Sequence, residues 1–212
     1  GAQGVTFVVS IVLARLLNPA VYGTIALVNV FTVIMQVFID SGFGCALIQK
    51  KDADSTDFST VFYFNIAVCT LLYAVMFVSA PAIASFYDRA ELVPIVRVMS
   101  LSLIISGVKN VQQAHVSRNM LFKKFFFATL GGTVGAAVVG IVMAYKGFGV
   151  WALIAQNLFN QTVDTVILWV TVRWRPTPEF SIGRLRALFS YGWKLLASSL
   201  LDTVYNNLRT LI

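Results

Sequence analysis

Charged residues are scarce in this sequence. Asp, Glu, Lys and Arg make up 12% of the 212 residues, whereas a soluble domain usually carries about 25%. Hydrophobic residues make up 58%, and the mean hydropathy is +0.81. A surface with so little charge would aggregate in water but suits lipid. The composition therefore excludes an ordinary soluble domain and predicts a polytopic α-helical membrane protein.

Metal-ligating and redox-active residues are equally few. The two cysteines, Cys45 and Cys69, lie in apolar segments at no metal-ligand spacing, so we interpret them as small core residues. The single histidine, His115, lies near the end of an apolar span, and an interfacial position is favoured over a proton relay. We expect no metal site, no cofactor and no catalytic residues.

Six apolar segments are long enough to cross the bilayer, and a seventh is partly present, since a crossing needs roughly 20 residues. We expect a fragment that lacks the start of the first span and everything after the seventh. The first predicted span ends at Leu17, and the seventh begins at Leu188. The five between them are 21–40, 58–86, 92–116, 125–145 and 150–172. The polar, proline-containing stretch between the last two predicts a cytoplasmic linker. The predicted division is therefore 1–172, 173–187 and 188–212.

The basic residues are distributed unequally between the two ends of the spans. With a cytoplasmic N-terminus, the inner connections carry nine cations and the outer ones four, Arg15, Arg89, Arg97 and Lys146. The nine are Lys50, Lys51, Arg118, Lys123, Lys124, Arg173, Arg175, Arg184 and Arg186. This is the positive-inside bias. The net charge of +7 thus indicates topology rather than nucleic-acid binding, for which no motif is present.

Small residues follow one face of the fifth span. Ala128, Gly132, Ala136 and Gly140 recur every four residues, beside Gly131 and Gly135. Such a face lets helix backbones approach closely in a membrane. A glycine-rich nucleotide loop is the rival interpretation, but it would need a preceding strand and a βαβ unit.

Polar residues form stripes along the second, fourth, sixth and seventh spans at the spacing of one helical face. In span order they are Asn29, Thr32, Gln36 and Asp40; Ser102, Ser106, Lys109 and Gln113, with Gln112 adjacent; Asn157, Gln161 and Asp164, with Asn160 adjacent; and Ser198, Asp202, Tyr205 and Arg209, with Asn206 close by. One stripe could join helices by hydrogen bonds. Four together predict a hydrated cavity, since ionisable groups in a bilayer usually face partners or water.

The charges in and near these stripes allow two interpretations. Lys109, Arg209 and Arg15 could attract an anionic headgroup, since arginine offers a planar fork to phosphate. Alternatively, Lys109 forms a structural ion pair with Asp164 or Asp40. The sequence leaves both open.

Four sequence blocks resemble the polysaccharide transporters of the MOP flippase superfamily. The first, from Ala14 to Gly23, resembles their LARLL-x-P-x-x-YG signature. The run 40–49 is similar to their second block, 118–124 to the loop between their fourth and fifth helices, and 147–153 to their fifth-to-sixth turn. These blocks occur in the family's order, and the branch they resemble most is the Wzx-like one.

This resemblance implies a MOP/MATE-like architecture of two six-helix lobes around a central cavity, with alternating access. The chain would be the N-terminal lobe, the linker and the start of the seventh helix. The substrate implied is a polyprenyl-diphosphate-linked oligosaccharide, flipped across the bacterial cytoplasmic membrane for surface polysaccharide or lipopolysaccharide synthesis. Polymerase and glycosyltransferase machinery are the implied partners, beside membrane lipid.

The resemblance also suggests roles for the polar residues. The cations would meet the diphosphate, and the amides and hydroxyls would meet the sugars. The predicted substrate-binding residues are Arg15, Lys109, Arg209, Gln36, Gln113, Asn157, Gln161 and Asn206. Asp40, Asp164 and Asp202 are candidates for ion coupling or for charge partners.

Two other functions compete with the flippase. A multidrug exporter of the same superfamily would have an acidic, aromatic cavity for organic cations, and Lys109 and Arg209 count against it. An integral membrane glycan-modifying enzyme would need a sizeable loop or a catalytic His/Asp constellation, and the sequence offers neither.

Overall fold

The computed structural model describes residues 2–40, 47, 54–119, 122–172 and 174–211. Within these ranges the chain forms eight α-helices and no strand. They are α1 (Ala2–Leu16), α2 (Pro19–Asp40), α3 (Ser55–Phe86), α4 (Leu92–Met99), α5 (Leu101–Arg118), α6 (Phe122–Tyr145), α7 (Val150–Thr171) and α8 (Ile182–Leu211). The prediction of an all-α helical bundle is confirmed. Cys45, Lys50, Lys51 and Arg173, to which the sequence assigns core or topological roles, lie outside the described residues.

The predicted spans have corresponding helices, with two differences. The fourth is interrupted at Ser100, whose hydroxyl donates to Val96 O at 2.6 Å. The amide of Leu103 then bonds to Ser100 O, three residues back. Serine bonding to the preceding turn bends helices, so α4 and α5 are separate helices. The helix of the seventh predicted span, α8, begins at Ile182, six residues before the predicted start at Leu188.

Three helical segments in the described residues are long and apolar enough to cross a membrane. They are 19–39, 55–86 and 92–118. The segments 4–16 and 129–145 are apolar but shorter. Together with the composition, these segments make the protein a multi-pass membrane protein, while crossing by α1, α6, α7 and α8 stays a prediction.

The helix ends follow from local sequence. Pro19 is the first residue of α2, where its missing N–H costs nothing. Asp54 caps α3 in a reciprocal capping box with Asp57. Gly147 and Gly149 have positive φ angles of 80° and 54°, which only glycine adopts easily, and they form the predicted tight turn into α7.

Helix α6 lies between α1 and α7, and α5 lies between α3 and α7. Helix α2 packs against α5 and α8. The largest apolar core joins α2, α3, α4, α5 and α7, and includes the buried Cys69, as predicted. A second core joins α1, α6 and α7 through Val9, Leu13 and the alanines of α6.

The glycine face of α6 packs closely against α7. A Cβ built at Gly132 would overlap with Asp164 Oδ1 and lie 2.7 Å from Asn160 Oδ1. A Cβ at Gly135 would lie 2.8 Å from the Phe159 ring. Because α7 occupies the space that side chains would need, the predicted role of this face in close packing is confirmed.

The segment between α7 and α8 is fastened to α3. Thr177 N donates to Ser59 Oγ at 3.0 Å, and Ser181 N donates to Thr60 Oγ1 at 3.2 Å. Arg184 bonds to Asp54, and this hydrogen bond raises the pKa of its guanidinium. The predicted linker is thus held against the bundle by hydrogen bonds.

We predict that Gly132→Ala destabilises the full-length protein by about 1–3 kcal/mol, the usual effect of overpacking. The new methyl group has no room unless the side chains of Asp164 and Asn160, or α7 itself, move. Thermal unfolding of the detergent-solubilised protein measures the effect as a lower Tm.

The matched control is Gly23→Ala on α2, where a Cβ meets nothing within 4 Å. It should leave Tm unchanged or raise it slightly, because alanine favours helix over glycine. Equal Tm values for the two variants would contradict the close-packing assignment.

Candidate functional site

Helices α2, α4, α5 and α7 enclose a cavity of about 290 Å³. We call it the charged cavity because Lys109 lies in its wall. Its described lining consists of Asn29, Thr32, Val33, Gln36, Met99, Ser102, Ser106, Lys109, Asn110, Gln113, Asn157 and Gln161. Most of these groups are amides and hydroxyls, so the cavity offers many hydrogen bonds and one cation.

Three of the four predicted stripes meet in this cavity. The stripe members in its lining are Asn29, Thr32 and Gln36 from the second span, Ser102, Ser106, Lys109 and Gln113 from the fourth, and Asn157 and Gln161 from the sixth. Each of these helices turns its polar face inward, away from the apolar surroundings. At membrane depth, amides and hydroxyls need partners or water, since an unpaired polar group in an apolar medium is costly.

Lys109 pairs with Asp164 across α5 and α7. The distance from Lys109 Nζ to Asp164 Oδ2 is 3.0 Å, and the two side chains are 19% and 8% exposed. The sequence left open whether Lys109 would pair with Asp164 or with Asp40, and the structure has it paired with Asp164. At such low exposure each charge depends on the other, because neither can be fully hydrated.

Asp164 turns its other carboxylate oxygen toward α6. Its Oδ1 is buried and accepts no hydrogen bond from the described part of the chain. This atom faces Gly132, where only a glycine leaves room for it. The close approach of α6 therefore sets the position of the carboxylate that holds Lys109.

A second polar link joins α5 to α7 beside this ion pair. Ser106 Oγ donates to Gln161 Oε1 at 3.4 Å, and Gln161 Nε2 donates to Asn157 Oδ1 at 2.8 Å. The wall of the cavity is thus pre-organised by its own hydrogen bonds.

Other predicted residues lie away from the charged cavity. Arg15 is exposed in the last turn of α1 and is absent from the cavity's lining. Asp202 and Asn206 are exposed on α8, and the described lining includes no residue of that helix. The side chains of Asp40 and Arg209 lie outside those that the structure describes. The roles predicted for these residues remain predictions.

Neighbours of the fourth-span stripe have positions that periodicity alone did not predict. Asn110 lines the cavity while its amide donates to Ile39 O at 3.1 Å. Its place beside Lys109 in the sequence was the available signal. Gln112 is fully buried and donates to Trp174 O at 3.2 Å, so it holds the linker instead of lining the cavity. His115 stacks on the Trp174 ring at 6.1 Å in the same region.

A family model described as "Polysaccharide biosynthesis protein" matches residues 12–212. The chain belongs to this family. The resemblance found in the four sequence blocks is thereby confirmed.

The chain is similar to several bacterial proteins that are named for polysaccharide biosynthesis. The Bacillus subtilis teichuronic acid biosynthesis protein TuaB is 28% identical over 84% of the chain and 37% of its own length. The Rhizobium meliloti succinoglycan biosynthesis transport protein ExoT is 26% identical over 96% of the chain and 41% of its own length. The Escherichia coli lipopolysaccharide biosynthesis protein WzxC is 21% identical over 99% of the chain and 43% of its own length.

The chain spans less than half the length of these relatives. No solved structure matches it significantly.

We predict that Lys109→Met lowers the stability of the full-length protein by roughly 3 kcal/mol, because it leaves the Asp164 charge buried and unpaired. The double variant Lys109→Met/Asp164→Leu should recover much of this loss, since no uncompensated charge remains. Thermal unfolding in detergent measures both.

Lys146→Met is the control, because Lys146 is exposed in the turn after α6. It should leave Tm near the wild-type value. If the double variant were less stable than Lys109→Met alone, the ion pair would not be the cause of the loss.

Proposed function

We propose that the full-length protein flips polyprenyl-diphosphate-linked oligosaccharide repeat units across the bacterial cytoplasmic membrane for surface polysaccharide synthesis. The charged cavity carries this proposal. It combines one cation with many uncharged hydrogen-bonding groups, and the substrate combines an anionic diphosphate with sugar hydroxyls. Membership of the polysaccharide biosynthesis family supports the same class of cargo.

Lys109 is the residue we assign to the diphosphate. In the present structure its ammonium is held by Asp164, so binding exchanges a carboxylate oxygen for a phosphate oxygen. Phosphate then neutralises Lys109, and the buried Asp164 must find a proton or another cation. This exchange gives Asp164 its role in coupling. Asp40 and Asp202 are further coupling candidates, and Arg15 and Arg209 are further headgroup ligands in this proposal.

The amides of the cavity are assigned to the sugars nearest the diphosphate. Gln36, Gln113, Asn157 and Gln161 line the cavity with groups that donate and accept. Asn206 joins them in this proposal from α8. A substrate with many hydroxyls replaces cavity water at little cost, because each displaced hydrogen bond can be remade.

The arrangement in the membrane is part of the proposal. Residues 1–172 form the N-terminal lobe, 173–187 the linker and 188–212 the start of the second lobe. The N-terminus faces the cytoplasm, and so do the linker and the C-terminal ends of α2 and α5. Polymerase and glycosyltransferase machinery supply and consume the cargo.

We predict that the full-length Lys109→Met/Asp164→Leu variant lowers surface polysaccharide about tenfold or more in a strain lacking the native gene. Losing one charge-assisted contact in a cavity is worth about that factor. Extracted surface polysaccharide and the pool of lipid-linked repeat units are both quantified, and the latter should accumulate.

Membrane protein levels must match, and Lys146→Met serves as the control with wild-type polysaccharide. Unchanged polysaccharide in the double variant at normal protein level would contradict the headgroup role of Lys109. Loss of drug efflux with intact polysaccharide in the knockout would favour a multidrug exporter. Turnover of a labelled glycan by the purified protein would favour an enzyme.

We also predict that residues 1–212 alone do not flip substrate in liposomes, because one lobe encloses only part of a path. Fluorescently labelled lipid-linked glycan, quenched from outside, measures the transfer. Full-length protein in matched liposomes is the control. Transfer by the 212 residues alone would contradict the two-lobe mechanism.

A further inference from the structure

A second cavity lies beside the charged one, between α1, α2, α6 and α7. Its volume is about 370 Å³, which falls in the range of ~300–1,000 Å³ typical of small-molecule sites. The described lining is Thr6, Val9, Tyr22, Ile25, Thr133, Ala136, Leu153, Gln156, Asn157, Asn160 and Gln161. We call it the neutral cavity because this lining contains no charged side chain.

The two cavities share a wall. Asn157 and Gln161 line both of them. Gln161 donates to Asn157 and accepts from Ser106, so the wall is held in place by hydrogen bonds at 2.8 and 3.4 Å. A ligand with two chemically different ends can therefore have one end on each side of these two amides.

The neutral cavity is unsuited to a diphosphate. Lys109 belongs to the charged cavity, on the other side of the shared amides. An anion placed among uncharged groups would lose its hydration without gaining a counter-charge, which is expensive in a low-dielectric site. The charged end of a ligand is thus directed to Lys109.

The hydrogen-bonding groups of the neutral cavity include donors and acceptors. No hydrogen bond within the described part of the chain involves the Tyr22 hydroxyl or the Gln156 amide. Thr133 donates its hydroxyl proton to Thr129 O at 2.7 Å, so its oxygen remains an acceptor. The Oδ1 of Asn160 is buried against Gly132. Its NH2 group is therefore the part that can donate to a ligand in the cavity.

Sugar hydroxyls fit this mixture, because each one both donates and accepts. The apolar part of the wall, Val9, Ile25 and Leu153, suits the C–H faces of a sugar ring. An acyl or prenyl chain fits poorly, because it would leave the polar groups of Tyr22 and Gln156 without partners.

We propose that the neutral cavity is a sugar pocket that binds an uncharged sugar residue of the cargo, with Tyr22, Thr133, Gln156 and Asn160 as its ligands. This inference rests on the proposed flippase function and adds a specificity site to it. The charged cavity recognises the diphosphate, which is common to all lipid-linked cargoes, and the adjoining sugar extends past the shared amides Asn157 and Gln161 into the neutral cavity. The neutral cavity distinguishes one glycan from another.

The test uses the full-length protein in nanodiscs and two kinds of probe. One is farnesyl diphosphate, which carries no sugar. The other is farnesyl diphosphate bearing glucose, galactose or N-acetylglucosamine. Calorimetry measures each Kd. At least one glycosylated probe should bind about tenfold more tightly than the bare one, as a few added hydrogen bonds imply.

The variant Tyr22→Phe/Thr133→Val removes two hydroxyls with almost no change of shape. It should reduce the tenfold preference for the glycosylated probe to about twofold. The matched control is Tyr145→Phe/Thr162→Val. Both of these residues are exposed, neither lines the two cavities, and Thr162 bonds to Leu158 O as Thr133 bonds to Thr129 O. The control should keep the full preference.

The outcomes separate this inference from the proposed function. If bare probe binds and Lys109→Met/Asp164→Leu weakens it, but no sugar improves binding, the sugar pocket is wrong and the flippase proposal stands. A preference that survives in Tyr22→Phe/Thr133→Val also overturns the pocket. Tighter binding of the bare probe by that variant would instead assign the cavity to the prenyl chain. If no probe binds, both proposals fail.

Discussion

The ion pair between Lys109 and Asp164 is the interaction on which the arrangement of the bundle's polar interior depends. Its two charges lie on α5 and α7, and their low exposure means that separating them would leave two poorly hydrated ions. The pair therefore fixes how these helices face each other. The hydrogen bond from Ser106 to Gln161 is formed beside it, between the same two helices. The charged cavity is the space that α2 and α4 complete around this contact.

This arrangement requires a close contact between α6 and α7. Asp164 and Asn160 both turn an oxygen toward Gly132 on α6, and any larger residue there would displace these side chains or α7. In a membrane the hydrophobic effect does not drive helices together, so packing of small residues and interhelical polar contacts must do so. Here the two meet at Asp164 on α7. One carboxylate oxygen faces Gly132 of α6, and the other bonds to Lys109 of α5.

Fold and site were predictable from sequence to different degrees. Helices occur at all seven predicted spans, because hydropathy, prolines and glycines act locally. The break at Ser100 and the early start of α8 were not predicted, since a serine hydroxyl bonding to its own helix leaves hydropathy unchanged. Periodicity identified the polar faces of α2, α5 and α7. It did not show that Gln112 binds the linker while its neighbour Gln113 faces the cavity.

The sequence by itself determined that this chain is a membrane protein, which segments are helical, and which face of each helix is polar. It also indicated the family, through four short blocks that resemble the family's in sequence and order. Only the tertiary structure decided that Asp164 is the partner of Lys109, and that the amides of α7 line two cavities with a shared wall. The physical reason is that periodicity specifies a face relative to its own helix axis. The rotation and distance between helices come from packing, and contacts such as that of Lys109 with Asp164, 55 residues apart, depend on both.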